Sequence, residues 1–167
     1  MPLLRPISPG DHAFVLDLNH RNVEVLSPMD QTRLDTLLGW ADRADIIEHD
    51  GEPAGFVMTF APRSSYDSEN YLWFTGHYDT FYYLDRIVLD QRFRRLGLGR
   101  RVYEELERVA AAYDRMVLEV NIDPPNRPSL DFHRRRGYDE VHRLGRAHVV
   151  ALMALELAAR PQPRSGK

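Results

Sequence analysis

Two hydrophobic periods alternate along this chain, one of three to four residues and one of two, and together they lay out an order of helices and strands. Leu3 to Ile7 predicts a short first strand. Ser8-Pro9-Gly10-Asp11 then reads as a turn into a helix near residues 12–20, with Asp11 as its N-cap. From Asp30 to Asp42, the residues Leu34, Leu37, Leu38 and Ala41 share one helical face. Ala44–His49 and Ala54–Ala61 flank the turn Asp50-Gly51-Glu52-Pro53 and predict a hairpin. Over residues 62–80 the period is lost, because polar and acidic residues alternate irregularly with Tyr66, Tyr71, Trp73, Phe74 and Tyr78. That predicts a long loop, of a kind that often binds a ligand, although the same aromatics would equally serve to cover a sheet edge.

The second half is more regular. Phe81–Leu89 is rich in aromatic and β-branched residues and predicts a largely buried strand. Leu98, Val102, Leu106, Val109 and Tyr113 mark a helix, and Met116–Val120 a further strand. Asn126–Arg136 predicts a shorter helix, with Pro128 in its first turn and Gly137 closing it. Tyr138–Leu144 and His148–Leu157 read as two strands about a turn at Gly145. Residues 158–167 have nothing to bury and are expected to be a disordered tail, so residues 1–157 are read as a single domain.

Composition narrows the possible chemistry. A chain of 167 residues, 43% hydrophobic and 28% charged, has enough apolar surface for one sizeable core and is unlike a disordered chain. The formal charge of -3 gives no general electrostatic case for nucleic acid as a partner. With no cysteine, there is no disulfide, no thiolate metal site and no cysteine nucleophile. His20 and His77 lack ligand-like spacing, and no metal is expected. No secretory signal or membrane-length apolar stretch is visible, so no membrane partner is expected and the cytoplasm is the default location.

Between the strand ending at Leu89 and the helix starting near Leu98 lies Gln91-Arg92-Phe93-Arg94-Arg95-Leu96-Gly97-Leu98-Gly99-Arg100, with the spacing Arg-x-x-Gly-x-Gly. A helix N-terminus presents unpaired N–H groups, and glycines let backbone approach an anion without a Cβ in between. Arg94 and Arg95 add guanidinium groups suited to phosphate oxygens. Taken alone, the loop would equally suit a tight strand-to-helix turn with solvated arginines. The spacing differs from a nucleoside triphosphate loop and does not open a βαβ unit, which argues against ATP or a dinucleotide.

In these residues the chain resembles the GNAT superfamily of acyl-CoA-dependent N-acyltransferases. Arg94, Gly97 and Gly99 match its pyrophosphate loop, and Asn126, Ser129, Phe132 and Gly137-Tyr138 match a second signature downstream. The order of elements from Leu3 to Leu157 is similar too. The resemblance implies an α+β, three-layer fold: a mixed, mostly antiparallel sheet of about seven strands flanked by about four helices. It implies acetyl-CoA as co-substrate, held by the backbone of Ile87, Val88 and Leu89, by the loop Arg94, Arg95, Leu96, Gly97, Leu98, Gly99 and Arg100, and by Asn126, Ser129 and Phe132. It also implies transfer to a primary amine, on a small molecule or a protein.

An amine attacks a thioester only when neutral, and a lysine-type amine, which titrates at roughly 10.4 in water, needs a proton acceptor at neutral pH. Asp85 lies where similar proteins often carry an acid, although an ion pair with Arg86 would equally account for it. For the leaving sulfur the family commonly supplies a proton from a tyrosine at the place held here by His133. Neutral histidine can donate a hydrogen bond, an ordinary surface histidine is the alternative, and Tyr82, Tyr83 and Tyr138 are further candidates. A strand N–H near Val88 or Leu89 would stabilise the oxyanion.

The resemblance implies acceptor contacts from residues 19–30 and 62–80, where Asp67, Glu69 and Asp79 among aromatics would suit a cation, although an ordinary solvated surface accounts for these polar residues more simply. Two other readings compete: a non-catalytic acyl-CoA sensor, and an arginine-rich nucleic acid binder using Arg92–Arg101 and Arg134–Arg136. Edge strands near the C-terminus suggest a homodimer.

Overall fold

The computed structural model describes residues 3–157, and the expected tail at 158–167 lies outside them. Seven strands form one sheet: β1 (Leu4–Pro6), β2 (Arg43–His49), β3 (Glu52–Phe60), β4 (Tyr82–Leu89), β5 (Arg115–Asp123), β6 (Asp139–Leu144) and β7 (Val149–Glu156). Their spatial order is β1-β2-β3-β4-β5-β7-β6, and every neighbouring pair is antiparallel except β4 and β5. The α-helices are α1 (His12–His20), α2 (Gln31–Trp40), α3 (Glu69–His77), α4 (Leu98–Ala110) and α5 (Arg127–Arg135). This is the expected α+β architecture, with one helix more.

The extra helix corrects the long loop expected over residues 62–80. Ser68 caps α3 by accepting from Tyr71 N, and Tyr71 and Phe74 face the core three residues apart. The signal was masked because aromatic side chains favour helices weakly and polar residues separate them. Asp11 stands at the N-cap of α1, as expected, but its side chain is used elsewhere. Its carboxylate accepts from Ser8 N, from the Ser8 hydroxyl and from Arg5, and makes no bond to the first turn of α1.

Two cores lie on opposite faces of the sheet. Val15 and Leu18 of α1, Leu34 and Leu37 of α2, and Tyr71 and Phe74 of α3 pack with Phe56, Met58, Phe60 and Tyr83 on one face. Val102 and Leu106 of α4 and Leu130 of α5 pack with Val57, Tyr82, Leu118 and Met153 on the other. Each such side chain contributes about 1.5–3 kcal/mol on leaving water. Central strands wanted by both cores read as continuous apolar runs, which is why β3 and β4 were legible.

No helix among the described residues is long and apolar enough to cross a membrane.

Candidate active site

The parallel strands β4 and β5 pair only at Tyr82–Met116 and Tyr83–Val117. Beyond that point β4 continues to Leu89 and β5 to Asp123 with no register between them, and a groove of about 240 Å³ opens in the gap. Leu84–Ile87 form one wall, Leu118–Asn121 the other, and Asn126, Ser129, His133 and Tyr103 close it from α5 and α4. In a strand, peptide groups point alternately to its two sides, so those of β4 that face the gap lack a strand partner. They are suited to an extended ligand that carries amides of its own.

The loop expected to grip phosphate stands at the head of this gap. Phe93 and Leu98 bury themselves against Ala54 and anchor its two ends, while Arg94, Arg95, Leu96 and Gly97 between them are exposed. Gly97 caps α4 with φ 76°, a left-handed conformation that costs other residues about 1–2 kcal/mol. The first helical bond runs from Arg101 N to Gly97 O at 3.2 Å, which leaves the amides of Leu98, Gly99 and Arg100 without a helical acceptor. Arg94 and Arg95 make no ion pair with the described residues, and Arg100 reaches Glu104 at 3.7 Å. The amides and the helix dipole present positive charge at the start of α4, and exposed arginines flank it in the chain.

Deeper in the gap lie two carboxylates. The register of β3 on β4 jumps between Met58–Arg86 and Thr59–Leu84, so Asp85 is an extra residue on β4. Such a bulge resets the alternation of side chains. Asp85 and its neighbour Arg86 therefore both reach the α1–α3 face, where Tyr66 donates to Asp85 Oδ1 at 2.8 Å and Arg86 bonds Asn19 and the carbonyl of Ser27. Asp85 Oδ2 is buried, lies 3.3 Å from Arg86 Nε, and has no hydrogen-bond partner among the described residues.

Across the gap Glu119 takes the hydroxyl of Tyr83 at 2.5 Å. Burial, with the negative charge of Asp85 next, pushes Glu119 up to about 8. Burial also raises Asp85, against the opposing pull of Arg86 and Tyr66. Sequence reasoning missed Glu119; an acid inside the apolar run Met116-Val117-Leu118-Glu119-Val120 was the available signal.

His133 is 5% exposed on the α5 wall. Its Nδ1 lies 2.7 Å from the carbonyl of Ser129, and its Nε2 lies 2.7 Å from the hydroxyl of Tyr103. Burial lowers its pKa, which favours the neutral ring. Asn126 caps α5 by accepting from Ser129 N, and Phe132 packs edge-on against Tyr103 with ring centres 4.9 Å apart. Tyr82 and Tyr138, two candidate donors, point elsewhere: Tyr82 donates to Asp42 and Tyr138 to Glu107.

On the expected acceptor side, Asp67 is held by both terminal nitrogens of Arg33. A wider hollow of about 590 Å³, bordered by Val23–Pro28, Asn121 and Pro124–Asn126, joins the groove at Val25–Ser27, Asn121 and Asn126. No group of three or more metal-binding side chains occurs among the described residues.

This fold is shared with solved N-acetyltransferases. The ribosomal-protein-S18-alanine N-acetyltransferase from Escherichia coli superposes with a TM-score of 0.69 at 17% identity, covering 95% of this chain and 96% of that one. Ard1 from Thermoplasma volcanium gives 0.71 at 18% identity, covering 93% and 97%. The yncA protein from Salmonella typhimurium, solved with its cofactor acetyl-CoA, gives 0.66 at 18% identity, covering 98% of both chains. No curated protein sequence matches the chain significantly. The chain belongs to the Acetyltransferase (GNAT) family, which matches residues 13–138, and its members are acetyltransferases.

Proposed function

We propose that this chain transfers the acetyl group of acetyl-CoA to a primary amine, by direct attack with both substrates bound. The observation that carries the proposal is the split between β4 and β5, which has an anion-suited helix start at its head and, within, the buried side chain of Asp85 and the half-buried Glu119.

The residues fit that co-substrate. The amides of Leu98, Gly99 and Arg100, with Arg94 and Arg95, suit a pyrophosphate; in the run Ile87, Val88 and Leu89 the Val88 carbonyl turns to β3, and the gap-side peptide groups of Ile87 and Leu89 suit the pantetheine arm. Asn126, Ser129 and Phe132 complete the far wall. Bound there, acetyl-CoA supplies an activated thioester. Asp85 and Glu119 repel each other when both are ionised, so together they hold a proton at neutral pH and can take up the one an attacking amine must shed. An acceptor poised near neutrality is well matched to that task. Of the two β4 amides expected there, that of Leu89 lies on the gap side and serves the oxyanion, whereas that of Val88 turns to β3. With no cysteine in the chain, a thiol acyl-enzyme has no nucleophile.

The test is release of coenzyme A thiol from acetyl-CoA, measured with a panel of small amines and short peptides. One member should be an alanine-initiated peptide, since one structural relative is named for an alanine N-acetyltransferase activity. Amine-dependent release is expected. Binding of coenzyme A without release across a broad panel would instead favour an acyl-CoA sensor, and no binding at all would overturn the site.

A further inference from the structure

We propose that Tyr103, held in place by His133, donates the hydrogen bond that receives negative charge on the sulfur as the thioester breaks. The proposal rests on the reading of the groove as an acetyl-CoA site.

Hydrogen-bond chemistry assigns every proton of the pair. The Ser129 carbonyl can only accept, so His133 Nδ1 carries the ring hydrogen and Nε2 carries the lone pair. The hydroxyl of Tyr103 must then be the donor across the 2.7 Å contact. His133 therefore has no spare proton in this arrangement, and the hydroxyl beside it does. Burial keeps both groups neutral, raising Tyr103 and lowering His133.

Tyr103 differs from the other phenols near the split in two ways. It borders the groove, together with Ser129, Asn126 and the two carboxylates. Its acceptor is also an uncharged nitrogen, whereas Tyr66 and Tyr83 are committed to Asp85 and Glu119. A hydroxyl can turn about its C–O bond from a neutral acceptor to an anion, because hydrogen bonds to ions are roughly twice as strong. Tyr66 would gain nothing by leaving the Asp85 carboxylate, and neither Tyr66 nor Tyr83 lines the groove.

The electrons balance simply. As the amine nitrogen bonds to the acyl carbon and the C–S bond breaks, the bonding pair stays on sulfur. The amine proton goes to the carboxylate pair. Tyr103 keeps its own proton and only redirects the bond.

Charged and titratable groups surround the phenol. Arg136 lies 5.6 Å from its ring centre, Glu107 on the same helix is paired with Arg136, Tyr138 and His133 pack edge-on, and Asp85, Glu119 and Arg86 line the same groove. Ionisation of Glu119 near pH 8 opposes a second negative charge. The ratio of the two affinities isolates the sulfur, and its difference between wild type and Tyr103→Phe, which share that repulsion, isolates the phenol.

Calorimetry with coenzyme A and with desulfo-coenzyme A, at pH 6.5 and 9.5, tests the proposal without turnover. The free thiol ionises near roughly 8.5, by analogy with cysteine. In the wild type the preference for coenzyme A over the desulfo compound should grow about tenfold on going to high pH, the effect of one hydrogen bond to a charged group. Tyr103→Phe should abolish that growth while binding the desulfo compound as the wild type does, which also reports an intact fold. Growth that survives in Tyr103→Phe, or is missing from the wild type, would overturn the role of Tyr103. A wild type that binds neither compound would overturn the groove assignment and this proposal with it.

Discussion

β4 treats its two neighbours differently. Against β3 it is paired along most of its length, from Tyr83 to Leu89, and Gly55 brings the strands so close that an added Cβ would lie 2.1 Å from the Val88 carbonyl. Against β5 it is paired at Tyr82 and Tyr83 alone. The first side is a stability element, with its backbone groups satisfied and both faces buried. The second keeps peptide groups free and gathers polar side chains beside them, at a cost in sheet hydrogen bonds. The difference shows how one strand can be fixed firmly enough on one edge to leave the other edge available to a ligand.

The sharpest way to break this contrast is to remove charge from the open side. Glu119→Gln keeps shape and should lower turnover by roughly 100-fold or more, the range of a lost proton acceptor. The rise of rate with pH through about 8 should disappear with it. Steady-state rates between pH 6 and 9.5 decide the matter, and a variant with the wild-type profile would remove Glu119 from the reaction.

A smaller effect is expected at the loop. Gly99 has room for a Cβ, whose nearest neighbour would be a Leu89 methyl at 3.9 Å, so Gly99→Glu should fold normally. Its side chain would stand beside the free amides and repel phosphate, and calorimetric affinity for coenzyme A should fall by roughly 100-fold. An unchanged affinity would show that no phosphate sits there.

The closed side is tested by Gly55→Ala. Overpacking of this kind costs about 1–3 kcal/mol, which a urea titration would register as a lower midpoint. Since the strand has to yield toward the gap, weaker coenzyme A binding should accompany the loss. Wild-type stability would mean that β3 and β4 are not held as tightly as the geometry says.

A last effect links the open side to stability. The folded protein holds the Glu119 proton up to about 8, whereas the unfolded chain releases it near 4.5. Between those values the folded state binds more protons, so this residue's contribution makes stability fall as pH rises from about 4.5 to about 8. Melting temperatures of wild type and Glu119→Gln at pH 5.5 and 8.5 should converge at the lower pH and separate at the higher, with the variant the more stable. Separation in the opposite sense would contradict a raised Glu119.

Much of this protein could be read from residue order. Periodicity placed every strand and four of the five helices, because each of those elements buries a face and the burial repeats at its own period. The Arg94-x-x-Gly97-x-Gly99 spacing marked the helix start, since only a glycine sits easily at a φ of 76°.

Tertiary structure alone decided the rest. Asp85 points to the same face as Arg86 because of a bulge that appears only when β4 is laid against β3. Glu119 matters because β5 brings it opposite Asp85 within a buried gap, and Tyr103 meets His133 across thirty residues and two helices. A single chain carries no record of which strands will part, and parting is what exposes these groups to one another. Local periodicity fixes elements, whereas pKa values and proton positions depend on neighbours far away in the chain.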